Sequence, residues 1–191
     1  MQIKKGAKTF WHFLWESDSL WSWVVLFIIA FALVRLVIFP TLGAALGGTP
    51  LPLVVVESKS MEHSNSLEDW IGAFGDWYFK RNITREDLAK FKFSDGIDKG
   101  DIIVTRKVKE YYVGDVIIFK VPIQSTPIIH RIVGYRPEDD TFETKGDNNY
   151  EQLMQEKVIK RDQIVSKAVL KIPKLGWIKL AVVETIRSLS K

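Results

Sequence analysis

The chain has 191 residues, a formal net charge of +4, three histidines and no cysteine. A length of this order holds one domain and an anchor, while the missing thiols exclude disulfides, zinc–thiolate sites and thiol nucleophiles. Three histidines (His12, His63, His130) also speak against a multi-histidine metal site.

The first element in chain order is Trp21–Phe39, WSWVVLFIIAFALVRLVIF, which is nearly all apolar. As a helix it spans about 28 Å, against a hydrocarbon core of roughly 30 Å. Trp21 and Trp23 stand where indoles favour the interface. Lys4, Lys5 and Lys8 precede it, so the positive-inside rule puts residues 1–20 in the cytoplasm and everything after Pro40 outside. Arg35 lies one turn from the far end, where it can snorkel to the headgroups. A cleaved signal peptide ending at Gly43-Ala44-Ala45 is the competing reading. The apolar stretch resumes after Arg35, which favours a permanent single-pass anchor in the cell membrane. Pro40–Pro52 reads as a turn-rich linker.

The remainder, 53–177, reads as a mainly β domain. Leu53–Val56, Ile102–Val108, Val116–Val121, Ile128–Tyr135, Thr141–Thr144 and Ile164–Ile172 are short, β-branched and divided by Gly, Pro or Asp turns. Strands so spaced without intervening helices predict an antiparallel sheet. One insertion, about 64–98, differs. Leu67, Trp70, Ile71, Phe74 and Trp77 recur at helical spacing, and Ser66/Asp69 and Thr84/Asp87 match capping boxes. These features predict short helices over 67–79 and 85–91, with the aromatic stripe packed on the β domain or dipping into the bilayer. Asn82-Ile83-Thr84 is a glycosylation sequon. The tail, 178–191, is basic and amphipathic, suited to a membrane interface or to docking on the domain. The basic residues from Lys157 to the C-terminus fit anionic lipid better than nucleic acid, because no RNA-binding sheet signature or base-reading basic helix accompanies them.

Chemistry concentrates where the strand VVVE breaks into SKSMEH, Ser58–His63. A serine hydroxyl needs an adjacent base to become a nucleophile, and histidine is the usual one. His63 reaches Ser60 only if the chain turns helically there. His130, on a later strand, would have its rotamer fixed by packing, which favours it over His63. Lys59 points to the opposite face of an extended segment. A carboxylate orienting the imidazole would complete the set. Asp147, in TKGDNN, is the candidate, although Gly-Asp also simply turns the chain into strands at Asp101 and Asp115.

Ser58-Lys59-Ser60-Met61-Glu62, Lys99-Gly100-Asp101-Ile102-Ile103, Val113–Phe119, His130-Arg131-Ile132-Val133-Gly134 and Thr144–Asn149 follow one another as in a type I signal peptidase. The chain resembles that family from the anchor to about Trp177. Histidine at position 130 makes it similar to the archaeal and endoplasmic-reticulum (Ser-His) type. The resemblance implies a signal-peptidase antiparallel β domain with a small helical insertion. It implies Ser60 as acylating nucleophile, His130 as general base and Asp147 as the matched aspartate. Ser58 and the Ser60 backbone N–H would hold the oxyanion. Substrate would add as a strand beside Leu53–Glu57, so that Val54, Val55, Val56 and Met61 line its site. No cofactor or metal is implied. Exported preproteins, the lipid bilayer and the protein translocation machinery are the implied partners. Lys59 stands where the family usually has glycine, and His63 where it has proline. A second family aspartate falls at Leu153, with Glu151 and Glu156 nearby. A noncatalytic membrane-anchored β domain that binds or assembles other proteins is the alternative, and a self-processing membrane protease a nearer one.

Overall fold

The computed structural model describes residues 11–17, 19–63, 66–122 and 124–189. Lys4, Lys5, Lys8 and Lys191, which enter the charge readings, lie outside them. The chain divides into two units, Met1–Ala45 and Leu46–Lys191.

In the first unit, Ser19 caps helix α1 (Leu20–Leu33) by accepting the Trp21 N–H. A π turn, Val34–Ile38, joins it to α2 (Phe39–Ala45). The continuous helix Leu20–Ala45 has 26 residues and is long and apolar enough to cross a membrane. It runs past Phe39 into the stretch expected to be linker. The cause is the π turn: Phe39 N–H bonds back to the Val34 carbonyl, widening the ladder just ahead of Pro40. The Thr41 hydroxyl then donates to the Val37 carbonyl at 2.7 Å.

The second unit is built on a seven-stranded sheet in the order β1-β2-β7-β3-β4-β5-β6, with every neighbouring pair antiparallel. The strands are β1 (Leu53–Val55), β2 (Ile102–Arg106), β3 (Val116–Phe119), β4 (Ile128–Arg136), β5 (Thr141–Lys145), β6 (Ile159–Lys160) and β7 (Ile164–Ile172). Sequence pattern anticipated all but β6, whose two residues are too few to show a period. Central β3 is apolar at every position because both its faces are covered. Val116 and Ile118 join a cluster with Val56, Met61 and Ile103, while Ile117 and Phe119 join one with Ile132, Phe142 and Ile164.

The insertion forms α3 (Leu67–Phe79), capped by Ser66, and α4 (Arg85–Lys90), closed by a Thr84/Asp87 capping box. Its aromatic stripe packs on the β domain: Trp70, Ile71, Phe74, Trp77 and Tyr78 are buried with Leu88 and Val133 of β4. The tail helix α5 (Trp177–Leu189) begins docked on the same unit. Gly176 N–H donates to the Gly100 carbonyl at 2.8 Å, and Leu180 is buried.

Candidate active site

Strand β1 ends at Val55, and a turn closed by Glu62 N–H on the Lys59 carbonyl carries Ser60 off the sheet. The turn is pinned from the loop after β5. Asn148 N–H donates to the Ser60 carbonyl at 2.8 Å, and the Asn148 side-chain amide to the Lys59 carbonyl at 3.0 Å. On the other side, the Met61 carbonyl accepts Ile97 N–H. Ser60 Oγ then lies 2.9 Å from His130 Nε2 and 3.1 Å from Ser58 Oγ.

His130 is buried on β4, opposite Ile117 of β3. Its Nδ1 bonds to Glu156, which sits at the end of the 3₁₀ turn Met154–Glu156 and is fully buried. The second Glu156 oxygen accepts Leu153 N–H at 2.7 Å. A carboxylate can only accept, so Nδ1 carries the proton and Nε2 is left as the acceptor for the Ser60 hydroxyl. Serine, imidazole and carboxylate are thus joined in series. No family model matches the chain. It is 27% identical over 143 residues to the signal peptidase complex catalytic subunit SEC11 of Fusarium vanettenii, a match covering 71% of this chain and 66% of that protein. This likeness supports, at the level of family, a type I signal peptidase of the endoplasmic-reticulum and archaeal type.

Asp147 is not on the His130 imidazole, whose Nδ1 is taken by Glu156. Residues 130 and 131 face opposite sides of β4, and Asp147 is on the Arg131 side. Arg131 Nε lies 2.9 Å from Asp147 Oδ1 and Arg131 Nη2 2.6 Å from Oδ2. The remaining guanidinium hydrogens reach the Lys92, Phe93 and Gly114 carbonyls. Tyr78 Oη donates to Asp147 Oδ1 at 3.2 Å, and His63 Nε2 meets Oδ2 at 3.0 Å. Burial alone would raise the Asp147 carboxyl. The Arg131 charge and the hydrogen bonds from His63 and Arg131 outweigh it and hold the group well below the usual carboxylate range. Burial, with the Asp147 charge second, pushes the Tyr78 phenol well up.

His63 is accounted for by the same network. Its Nδ1–H donates to the Ser94 carbonyl at 2.9 Å, and its ring stacks on Trp70 with centroids 4.1 Å apart. Trp70 Nε1–H in turn donates to the Asp147 carbonyl at 2.9 Å. Lys59 is exposed and lies 3.7 Å from Glu62. Neither residue approaches Ser60 as a base.

Lys145 precedes this loop with no exposed surface, its ammonium about 5 Å from the Trp77 and Tyr78 ring centroids. Burial lowers it to about 8, against the opposing charges of Asp147, Glu156 and Glu151. Gly146 is a close approach. A Cβ there would lie 2.8 Å from His130 Nε2, 2.9 Å from the Ser60 carbonyl oxygen and 2.6 Å from Asn149 Nδ2.

The residues expected to line a substrate site divide. Val56 and Met61 are closed inside the core, at 3% and 1% exposure, and Met61 Sδ accepts Asp147 N–H. Val54 packs against the same cluster. What β1 offers is backbone, since it is an edge strand. Pro52 and Val56 turn their peptide groups to β2 and its approach, so by alternation those of Leu53, Val55 and Glu57 face away from the sheet.

Glu156 is the site residue that pattern reading did not single out beyond noting it nearby. The usable signal was the alternation of β4: if His130 faces Ser60, then Arg131 cannot, and an aspartate bonded to Arg131 cannot also orient His130.

Proposed function

We propose that this chain is a membrane-bound serine endopeptidase that removes signal peptides from exported preproteins through an acyl-enzyme, cutting after small residues. The observation that carries this reading is the series Ser60 Oγ–His130 Nε2, at 2.9 Å, and His130 Nδ1–Glu156, with His130 and Glu156 both buried. Ser60 Oγ attacks the scissile carbonyl while its proton passes to His130 Nε2. Glu156 stabilises the imidazolium that forms. The oxyanion is held by the Ser60 N–H and the Ser58 hydroxyl. His130 then protonates the leaving amine, and water releases the signal peptide from Ser60.

Asp147 acts in this scheme by fixing the loop that grips the Ser60 turn. Substrate lies extended along β1, bonding to the outward peptide groups of Leu53, Val55 and Glu57, so that the main chain supplies affinity and small side chains fit shallow apolar pockets. The helix Leu20–Ala45 is the single span, with the N-terminus cytoplasmic and the catalytic unit outside. The relative's name makes it the catalytic subunit of a complex, and partner subunits at the translocation machinery fit the same scheme.

A noncatalytic binding domain would have no use for a serine and a carboxyl on the two nitrogens of one buried histidine. The test is cleavage of a preprotein bearing an Ala-x-Ala site by the detergent-purified full chain, beside Ser60→Ala and His130→Ala. Cutting by the wild type, with each substitution costing at least about 10²-fold, supports the enzyme. Equal cutting by all three removes this mechanism. Binding without cutting by any favours the noncatalytic reading.

A further inference from the structure

In the loop after β5 the Asn149 side chain is used by neither the nucleophile nor the carboxylate network. Asn149 N–H closes a turn on the Gly146 carbonyl, and this folds the Asn149 carboxamide back over Gly146. There it shares a niche with the reacting groups: one point on the bare face of Gly146 lies 2.6 Å from Asn149 Nδ2, 2.8 Å from His130 Nε2 and 2.9 Å from the Ser60 carbonyl oxygen. Asn148 is engaged on Lys59. The Asn149 carboxamide makes no hydrogen bond among the described residues, although the residue is half-buried.

We propose that Asn149 is a catalytic residue of the second half of the reaction, holding the water that hydrolyses the acyl-enzyme. The inference rests on the serine-endopeptidase reading above. Deacylation needs a water within reach of His130 Nε2 and of the ester carbonyl at Ser60, and a positioned water needs two to four polar partners. His130 Nε2, an acceptor once the leaving amine has taken its proton, supplies one. The Asn149 carboxamide supplies the next. The water oxygen attacks the ester carbon as its proton passes to His130 Nε2. The bond from that carbon to Ser60 Oγ then breaks, the proton returns from His130 to Oγ, and the signal peptide leaves as a carboxylic acid. Substrate amine departs before this water acts, so Asn149 is idle during acylation.

The test is rapid-mixing cleavage of the Ala-x-Ala preprotein by the full chain in detergent, comparing wild type with Asn149→Ala and with the near-isosteric Asn149→Asp. Acid-quenched samples are read by intact mass, and thermal unfolding midpoints confirm folding. Mature product should appear in a burst equal to the enzyme, turnover should then fall at least about 10-fold, and signal peptide should accumulate on Ser60. Hydroxylamine, which needs no positioned water, should discharge that species and restore turnover. A folded variant that is slow without covalent peptide, or that turns over like the wild type, overturns the inference. So does covalent peptide whose discharge hydroxylamine speeds by no larger a factor in the variant than in the wild type. If the wild type itself cuts nothing while binding the preprotein, the endopeptidase reading fails and this inference with it. Any loss confined to Asn149 variants leaves that reading intact.

Discussion

Glu156→Gln and Asp147→Asn make a paired test of which carboxylate serves the base. Both replace a carboxylate by an amide of the same shape, yet the surroundings force different outcomes. At position 156 the Leu153 N–H demands an acceptor, so the glutamine oxygen turns to it and the amide NH₂ faces His130 Nδ1. An imidazole facing a donor there accepts at Nδ1 and carries its proton on Nε2, the wrong tautomer for taking the Ser60 proton. An orienting carboxylate replaced in this way costs about 10⁴ in kcat, or about 5 kcal/mol of transition-state stabilisation. Folding should suffer little, because shape and the Leu153 bond survive. At position 147 the amide cannot balance the buried Arg131 guanidinium, and breaking a buried pair costs about 3–5 kcal/mol of stability. Asp147→Asn should therefore unfold at lower denaturant, while its folded fraction retains more activity than Glu156→Gln. Urea unfolding and steady-state cleavage at a temperature where both are folded separate the two. Near-wild-type activity for Glu156→Gln, with a stable but inactive Asp147→Asn, would refute the assignment and return Asp147 to the imidazole.

On the proposed mechanism Ser58→Ala should lower kcat by about 10²–10³ with little change in KM, since its hydroxyl would hold the developing oxyanion; a pure KM effect in steady-state cleavage would contradict that role. Gly146→Ala places a methyl 2.8 Å from His130 Nε2. Cleavage should fall by about 10² as the base is displaced from Ser60, whereas an unchanged rate would show that the loop yields. Lys145 is held at about 8 in the folded state, below its ordinary 10.5. The unfolded chain therefore binds more protons between those values, and stability should rise with pH across about 8 to 10.5. Lys145→Met should flatten that rise in urea midpoints and add up to about 3 kcal/mol below pH 8. Trp70→Phe deletes the donor to the Asp147 carbonyl while keeping a ring on His63. It should lose about 1 kcal/mol of stability, measured by the same urea midpoints.

The strands were legible because β-branched runs bounded by turn residues have few other solutions, and because β3 could be apolar throughout only as a doubly covered strand. The insertion helices were legible from their caps, Ser66 and Thr84, and from a stripe at helical spacing. Their docking surface was not, because periodicity says which face is buried and not against what. Ser60 and His130 could be paired in advance since a serine nucleophile needs a base and few histidines compete. Glu156 could not. It stands on a 3₁₀ turn far along an irregular loop, where no period carries register, and a Gly-Asp pair closer to the sheet drew the assignment instead. Pro40 misled for a related reason: a proline stops an α ladder, but a π turn ahead of it lets the helix continue.

The insertion and the nucleophile are coupled through a single stretch of backbone. Burying the Arg131 guanidinium is costly unless every N–H finds an acceptor. The Lys92 and Phe93 carbonyls of the insertion segment supply two of those acceptors, with Gly114 and Asp147 completing the set. The insertion also reaches Asp147 through Tyr78 on its carboxylate and Trp70 on its carbonyl, while His63, just before the insertion, stacks on Trp70 and meets the other carboxylate oxygen. The next peptide unit, Asn148, holds the Ser60 and Lys59 carbonyls. Glu156 meets His130 from farther along the loop, clear of this clamp. Position of Ser60 therefore depends on the insertion, while orientation of His130 depends on the 3₁₀ turn. The two halves of the Ser60–His130 bond are fixed by separate parts of one loop, and in the proposed mechanism a residue such as Trp70 influences catalysis without touching substrate.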